Sequence, residues 1–209
     1  MQGEDRKQQI LSAAIKVFSQ YGYEKTSIAM VCEKAMIARG TIYQYFKNKH
    51  SLFREIVETY SKKIQVLGQP MDLSDPDCPP PEEFLFIRFY LMFEEVFNNK
   101  EVFSIILREA LTMSANTEDI VSETNKAFTD LIGEEIDNGI RAGVYRPIDS
   151  QVTATFIYHG MRGIIERYLL DAEDSISRKE LAEKAMKLCL AFFYYDASGH
   201  TTPPDLDKL

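Results

Sequence analysis

An all-α fold is what this sequence predicts, on three observations. Apolar residues recur at three- and four-residue steps along most of its 209 positions, the period of one helix face. No stretch alternates apolar and polar residues between hairpin turns, and no repeat of roughly 20–50 residues is visible. Gly22, Asn48, Pro81, Gly143 and Asp149 fall where helices should start or stop rather than inside them.

The elements follow in order. Ile10, Ala13, Ala14, Val17, Phe18 and Tyr21 make the apolar stripe of a first helix, which Gly22 ends. Thr26 and Ser27 suit the N-cap of a short second helix, about 27–34. A third short helix spans 39–45. Asn48 caps a longer fourth, with Leu52, Phe53, Ile56, Val57, Tyr60 and Ile64 as its buried face. Residues 68–81, GQPMDLSDPDCPPP, read as a loop, and Pro81 suits the first turn of the next helix. Helices then fit at about 82–98, 101–113, 117–142, 150–171 and 177–195, so about nine in all. Gly143 lies at a C-terminal cap, Asp149 at the next N-cap, and Ser177 with Glu180 reads as a capping box.

Composition excludes several classes. With 45% hydrophobic and 27% charged residues the chain is neither disordered nor membrane-spanning in balance. Its longest strongly apolar run, 188–195, is far short of the ~20 residues a bilayer helix needs. The opening Gln-Gly-Glu-Asp-Arg-Lys lacks the basic-then-apolar order of a signal peptide, so a cytoplasmic location and no membrane partner are expected. Cys32, Cys78 and Cys189 are far apart and never in a Cys-x-x-Cys pair, which suits a reducing compartment and argues against disulfides or zinc. Cys78 has no basic neighbour in sequence to activate it, so an inert thiol is favoured over a redox sensor. His50, His159 and His200 lie in no ligand or nucleophile–base motif, so no enzyme, metal or other cofactor is expected. Adjacent acids such as Glu94–Glu95 and Glu134–Glu135 read as solvated faces.

Charge is distributed unevenly. The net charge is −8, yet residues 1–63 carry 11 Lys and Arg against 6 Asp and Glu, while the rest carry 13 against 26. A basic module that meets a polyanion, joined to an acidic one, fits this asymmetry. Within the basic part, Arg39 to Lys49 holds three aromatic rings and three basic side chains in eleven residues. Two short helices after a longer one form the plan of a helix-turn-helix, whose second short helix enters the major groove of DNA. Arg39 at its start has the donor fork for guanine, and Gly40 lets the backbone approach closely. Thr41 suits a thymine methyl or a phosphate, and Gln44 an adenine. Tyr43, Tyr45, Lys47 and Lys49 are placed to reach phosphates. Ile42 and Phe46, by spacing, face the small domain's core. On residue types alone a solvated face over a core remains the other reading.

The order of the residues adds to this. ILSAAIKVFSQYGYEKTSI, VCEKAMIARGTIYQYFKNK and HSLF resemble, in turn, the first helix, the turn with its recognition helix, and the fourth-helix entry of the TetR family of transcriptional regulators. The resemblance runs from Arg6 to about Gln65, with Gly-Thr-Ile-Tyr-x-Tyr-Phe-Lys-x-Lys as its most specific part. It implies a helix-turn-helix DNA-binding domain over 1–49 and a larger helical effector-binding and dimerisation domain over 50–209. It also implies Arg39, Gly40, Thr41, Tyr43 and Gln44 toward the groove, with Thr26, Ser27, Tyr45 and Lys49 toward the DNA backbone. The family's turn commonly has glycine where this chain has Met36, so either a differently built turn or strain at a non-glycine residue is expected there.

Past the loop the resemblance is looser, carried by EEIDNGIRAGVYRPIDSQVTATFIYHGMRGI. It implies a homodimer joined through the last two helices. Val152, Phe156, Gly160, Gly163 and Ile164 form a stripe on one of them, and Leu181, Ala185, Leu188, Phe192 and Tyr195 on the other. Burial of both stripes inside one subunit is the alternative. Family members often hold an inducer among the preceding helices, which implies a pocket for an apolar or amphipathic effector. Its candidate lining is Phe89, Phe93, Phe103, Arg108, Phe128, Tyr158, His159 and Arg162, although ordinary core packing would account for each aromatic. Arg108 and Arg162 need an anionic partner among apolar neighbours, which Glu94, Glu95 or Glu166 would also supply. The function expected is a one-component regulator, a repressor that binds a near-palindromic operator. The alternatives are an effector-independent architectural DNA binder and a helical adaptor.

Overall fold

The computed structural model describes residues 2–70, 79–112, 115–170 and 176–193. Among them the chain forms nine α-helices and no strand: α1 Gln2–Lys25, α2 Ile28–Ala35, α3 Arg39–Ile42, α4 Lys49–Leu67, α5 Pro81–Asn98, α6 Lys100–Thr112, α7 Glu118–Arg141, α8 Ser150–Ile164 and α9 Arg178–Phe193. The fold is all-α, as the periodicity predicts. Two elements differ from expectation. The third helix is shorter, its last residues forming turns, and α8 ends in a π-helical segment, Ile165–Leu170, where the ladder takes one extra residue per turn. Cys78, Tyr195, His200 and most of the 68–81 loop lie outside the described residues.

The chain divides into two compact units, Met1–Lys63 with Asn99–Thr124, and Ile64–Asn98 with Asn125–Leu209. The sequence places a boundary at 49/50, whereas the first compact unit also takes in most of α4, α6 and the start of α7. The reason is its core: Val102, Ile105 and Ile120 are buried together with Ile10, Phe18, Val31, Ile42, Leu52 and Phe53. Phe18, Tyr23 and Phe53 pack ring on ring at its centre, with centroids 5.1–5.9 Å apart.

In the second unit α5 and α9 lie against each other. Leu85, Phe89, Phe93 and Val96 on one helix are buried, as are Ala182, Met186, Cys189, Leu190 and Phe193 on the other. Left-handed Gly143 (φ 72°) closes α7 as expected, and the Val144 N–H returns to the Gly139 carbonyl at 2.9 Å. The Tyr145 ring then folds onto Gly139, where a Cβ would stand 1.9 Å from it. Arg146 follows by donating its backbone N–H to the Phe193 carbonyl (2.9 Å) and its Nε to that of Phe192 (2.5 Å), capping the C-terminus of α9 with a cation.

Two of the acids read as solvated are not. Glu135 is buried and faces the Arg88 guanidinium at 3.8 Å, while Glu94 pairs with Arg178. Half-buried Arg88 on α5 faces Glu135 from within the same unit; desolvation also pulls the Arg88 guanidinium below its ordinary range. No helix among the described residues is long and apolar enough to cross a membrane.

Candidate nucleic-acid interface

The site is built from the corner that ends α1. Gly22, at φ 75° and ψ 169°, breaks the helix, and Tyr23 turns its ring into the core. The Thr26 hydroxyl donates to the Gly22 carbonyl at 2.7 Å. Ser27 then caps α2, its side-chain oxygen accepting from the Met30 N–H at 3.3 Å. The two cap-competent residues thus divide the work: Thr26 is buried and its hydroxyl is used inside the protein, whereas Ser27 stays at the surface. Thr26 is corrected accordingly, since its hydroxyl is not presented to a phosphate.

Helix α2 ends at Met36, in the left-handed region at φ 53° and ψ 46°. The Met36 N–H and the Ile37 N–H both turn back to α2 carbonyls, which is the arrangement that glycine usually serves. The side chain, 87% exposed, gains nothing from packing. The strain expected from the sequence is therefore present.

Helix α3 presents the segment that the sequence singles out. Ile42 and Phe46 are buried in the core. Arg39, Gly40, Tyr43, Gln44 and Lys47 are exposed, and Thr41 and Tyr45 half-buried. Tyr43 is 54% exposed. Lys49 departs from expectation. Its ammonium donates to the carbonyls of Tyr23 (2.8 Å) and Glu24 (3.3 Å) and lies 4.2 Å from the Tyr23 ring centre. It neutralises the carbonyl end of α1, which leaves one of its three N–H donors for anything else.

Other candidates are sorted by the two units. Phe103 and Arg108 belong to the first. Phe103 packs edge-on against Tyr60, centroids 6.2 Å apart, and Arg108 is exposed on α6 with its guanidinium 3.5 Å from the Ser19 carbonyl. Arg108 is thus corrected as a buried cation awaiting an anionic ligand, because its helix face is open to water. In the second unit Phe89 and Phe93 are buried core residues stacked on each other. Phe128, Tyr158 and Arg162 do come together: the rings stack at 5.5 Å, and the guanidinium lies 5.9 Å from the Tyr158 centre. The Tyr158 hydroxyl donates to Asn125 at 2.9 Å, and burial pushes its pKa up. His159 is exposed with its ring 5.1 Å from that of Tyr158.

The dimer candidates split likewise. Phe156, Gly160, Gly163 and Leu188 are exposed, Phe156 by 64% and Leu188 by 57%. Half-buried Phe192 meets Phe156 edge-on at 5.4 Å, and Val152 extends the open face. Leu181 and Ala185 are instead buried within the subunit and are corrected as interface residues: α9 presses them into its own core. Nothing in the sequence points to Glu109, a buried acid on α6 that accepts from the Tyr23 N–H at 3.2 Å, since 86 positions separate the two.

Residues 10–56, from the core face of α1 into α4, match the family model for bacterial regulatory proteins of the tetR family. Over 150 residues the chain is 30% identical to the HTH-type transcriptional regulator YhgD of Bacillus subtilis (strain 168), covering 72% of this chain and 77% of that one. The chain belongs to the tetR family. It is a TetR-family transcriptional regulator, of a family whose members regulate transcription rather than catalyse reactions. Solved structures share the fold. The transcriptional regulator FadR from Bacillus subtilis, solved in complex with stearoyl-CoA, superposes with a TM-score of 0.73 at 17% identity, over 90% of this chain and 99% of that one. SmeT, the repressor of the Stenotrophomonas maltophilia multidrug efflux pump SmeDEF, gives 0.73 at 20% identity over 96% and 95%.

Proposed function

We propose that this TetR-family regulator is a repressor, a homodimer that sets α3 of each copy into the major groove of a near-palindromic operator and is released by a small-molecule effector. The observation that carries the reading is the sorting of side chains around α3. Ile42 and Phe46 anchor it, while Arg39, Tyr43 and Gln44 are exposed to solvent. Arg39 would read guanine and Gln44 adenine, with Gly40 and Thr41 allowing close approach. Ser27, Tyr45 and Lys47 would hold phosphates.

Self-association is supported by the exposure of the apolar residues Val152, Phe156 and Leu188 on the last two helices and by the Phe156–Phe192 contact that joins those helices. Two-fold symmetry would set the two α3 helices about 34–36 Å apart. For the effector, the Phe128–Tyr158 stack with the Arg162 cation at its edge suits an amphipathic molecule with an anionic end. That FadR of the same fold was solved with stearoyl-CoA favours this chemistry. Such a ligand would stabilise a state whose α3 spacing no longer fits the operator, weakening DNA binding by its differential affinity.

The test is selection of duplexes from a randomised pool by the full-length protein, with its mass in solution measured alongside. Two inverted half-sites bound by a dimer are expected. No sequence preference, as the architectural alternative requires, or no DNA binding at all, as the adaptor requires, would overturn the reading.

A further inference from the structure

The break in α1 is met by two consecutive side chains of α6. In an unbroken helix the Tyr23 N–H would bond to the Ser19 carbonyl, four residues back. Gly22 (φ 75°, ψ 169°) parts them, and each turns to α6: the Glu109 carboxylate accepts from the Tyr23 N–H at 3.2 Å, and the Arg108 guanidinium reaches the Ser19 carbonyl at 3.5 Å. One acceptor and one donor, adjacent in sequence, stand in for both halves of the missing bond.

We propose that Arg108 and Glu109 are positioning residues for DNA binding, which set the angle at which the helix-turn-helix leaves α1; the DNA part of this inference rests on the function proposed above. The corner that Glu109 holds is where the DNA-facing elements attach. Thr26 bonds back to Gly22, Ser27 opens α2, and Lys49 fastens the start of α4 to the Tyr23 and Glu24 carbonyls. Asn116 adds a bond to the Glu24 carboxylate at 2.9 Å. A carboxylate only 4% exposed is unfavourable unless strongly bonded, and an apolar residue would fill this core more simply. Its position at the break indicates that it fixes geometry. A glycine hinge with its hydrogen bonds open to water would let α2 and α3 swing, whereas bonding both ends to α6 holds a single angle.

The experiment compares full-length wild type with Glu109→Leu, Glu109→Gln and Arg108→Met, by amide hydrogen exchange and by affinity for a duplex that the wild type selects from a randomised pool. In Glu109→Leu, exchange across residues 23–46 is expected to rise about tenfold or more, with residues 125–164 unchanged. Affinity for the selected duplex should fall about tenfold, while affinity for a random duplex, which reports phosphate contacts, moves less than about twofold. Glu109→Gln keeps an acceptor for the Tyr23 N–H and should restore most of both. Arg108→Met should act in the same direction by a smaller factor. Faster exchange throughout the chain, faster exchange at Tyr23 alone, or unchanged affinity for the selected duplex would each overturn the proposal. Should the wild type select no duplex, the function proposed above fails, and the exchange pattern by itself still decides whether Glu109 holds the corner.

Discussion

The Lys49 ammonium is bonded to the Tyr23 carbonyl at 2.8 Å and stacked over the Tyr23 ring at 4.2 Å, so α4 is fastened to the end of α1 by a side chain whose sequence context points to DNA. A residue that only touches phosphate can be removed without harm to the free protein. Lys49→Met should instead lower stability by about 1 kcal/mol, the scale of a partly exposed charge-assisted hydrogen bond. Urea unfolding in the absence of DNA checks it, and an unchanged midpoint would return Lys49 to a purely DNA-facing role.

Met36 carries the left-handed conformation that ends α2 (φ 53°) with its side chain in solvent. A non-glycine residue in that region costs roughly 1–2 kcal/mol, against about 0.4–1 kcal/mol for the extra freedom glycine gives the unfolded chain. Met36→Gly should therefore stabilise the protein by about 0.5–1 kcal/mol. Met36→Val, β-branched at positive φ, should destabilise it. Paired thermal melts of the two variants read both signs at once.

Some of this was legible in the sequence and some was not, for a common reason. Ile42 and Phe46 are four residues apart, so one helical turn puts both inside and leaves Arg39, Tyr43 and Gln44 outside. Periodicity fails where two faces share a stripe. Leu181 and Leu188 are seven residues, about two turns, apart and point nearly the same way, yet the first is buried and the second is 57% exposed. Only the neighbouring helices distinguish them. Thr26 and Ser27 are equally good caps by residue type; the backbone break at Gly22 decides which hydroxyl is used inside. The Glu109–Tyr23 bond depends on α6 packing against α1, which no local pattern encodes.

Arg39 and Lys47 are both exposed cations beside α3, and they should fail differently. Arg39→Ala is expected to weaken binding to a selected duplex by about 1–3 kcal/mol and to relax the preference at one base pair. Lys47→Ala should weaken all sequences alike and reduce the salt dependence by about one phosphate contact. Titrations at several salt concentrations with selected and scrambled duplexes separate the two; identical behaviour of both variants would mean that α3 does not read bases.

Phe156 and Leu188 are exposed interface candidates, at 64% and 57%, and Phe156 meets Phe192 edge-on. A charge placed there stays hydrated in a monomer but would be buried beside its symmetry mate in a dimer, where like charges and desolvation oppose association. Phe156→Glu should leave the fold intact and shift the protein to monomer, measured by light scattering and helical circular dichroism together. A variant that remains dimeric would place the self-association surface elsewhere.

Asp119 offers a test through pH. Its carboxyl accepts from His50, bonds a backbone amide and pairs with Arg54, and these contacts, His50 first, hold its pKa below the usual carboxylate range. A depressed folded-state pKa means that the folded form prefers the carboxylate more than the unfolded form does. The stabilisation is therefore complete above the unfolded value, about 3.9, and is lost as pH falls through the lower, folded one. Half of the Asp119 side chain is exposed, so solvent screening keeps the effect small. Asp119→Asn should lower the urea midpoint at neutral pH, and the gap from wild type should narrow only below about pH 4. A gap that stays constant as pH falls below that value would remove Asp119 from the acid dependence of stability.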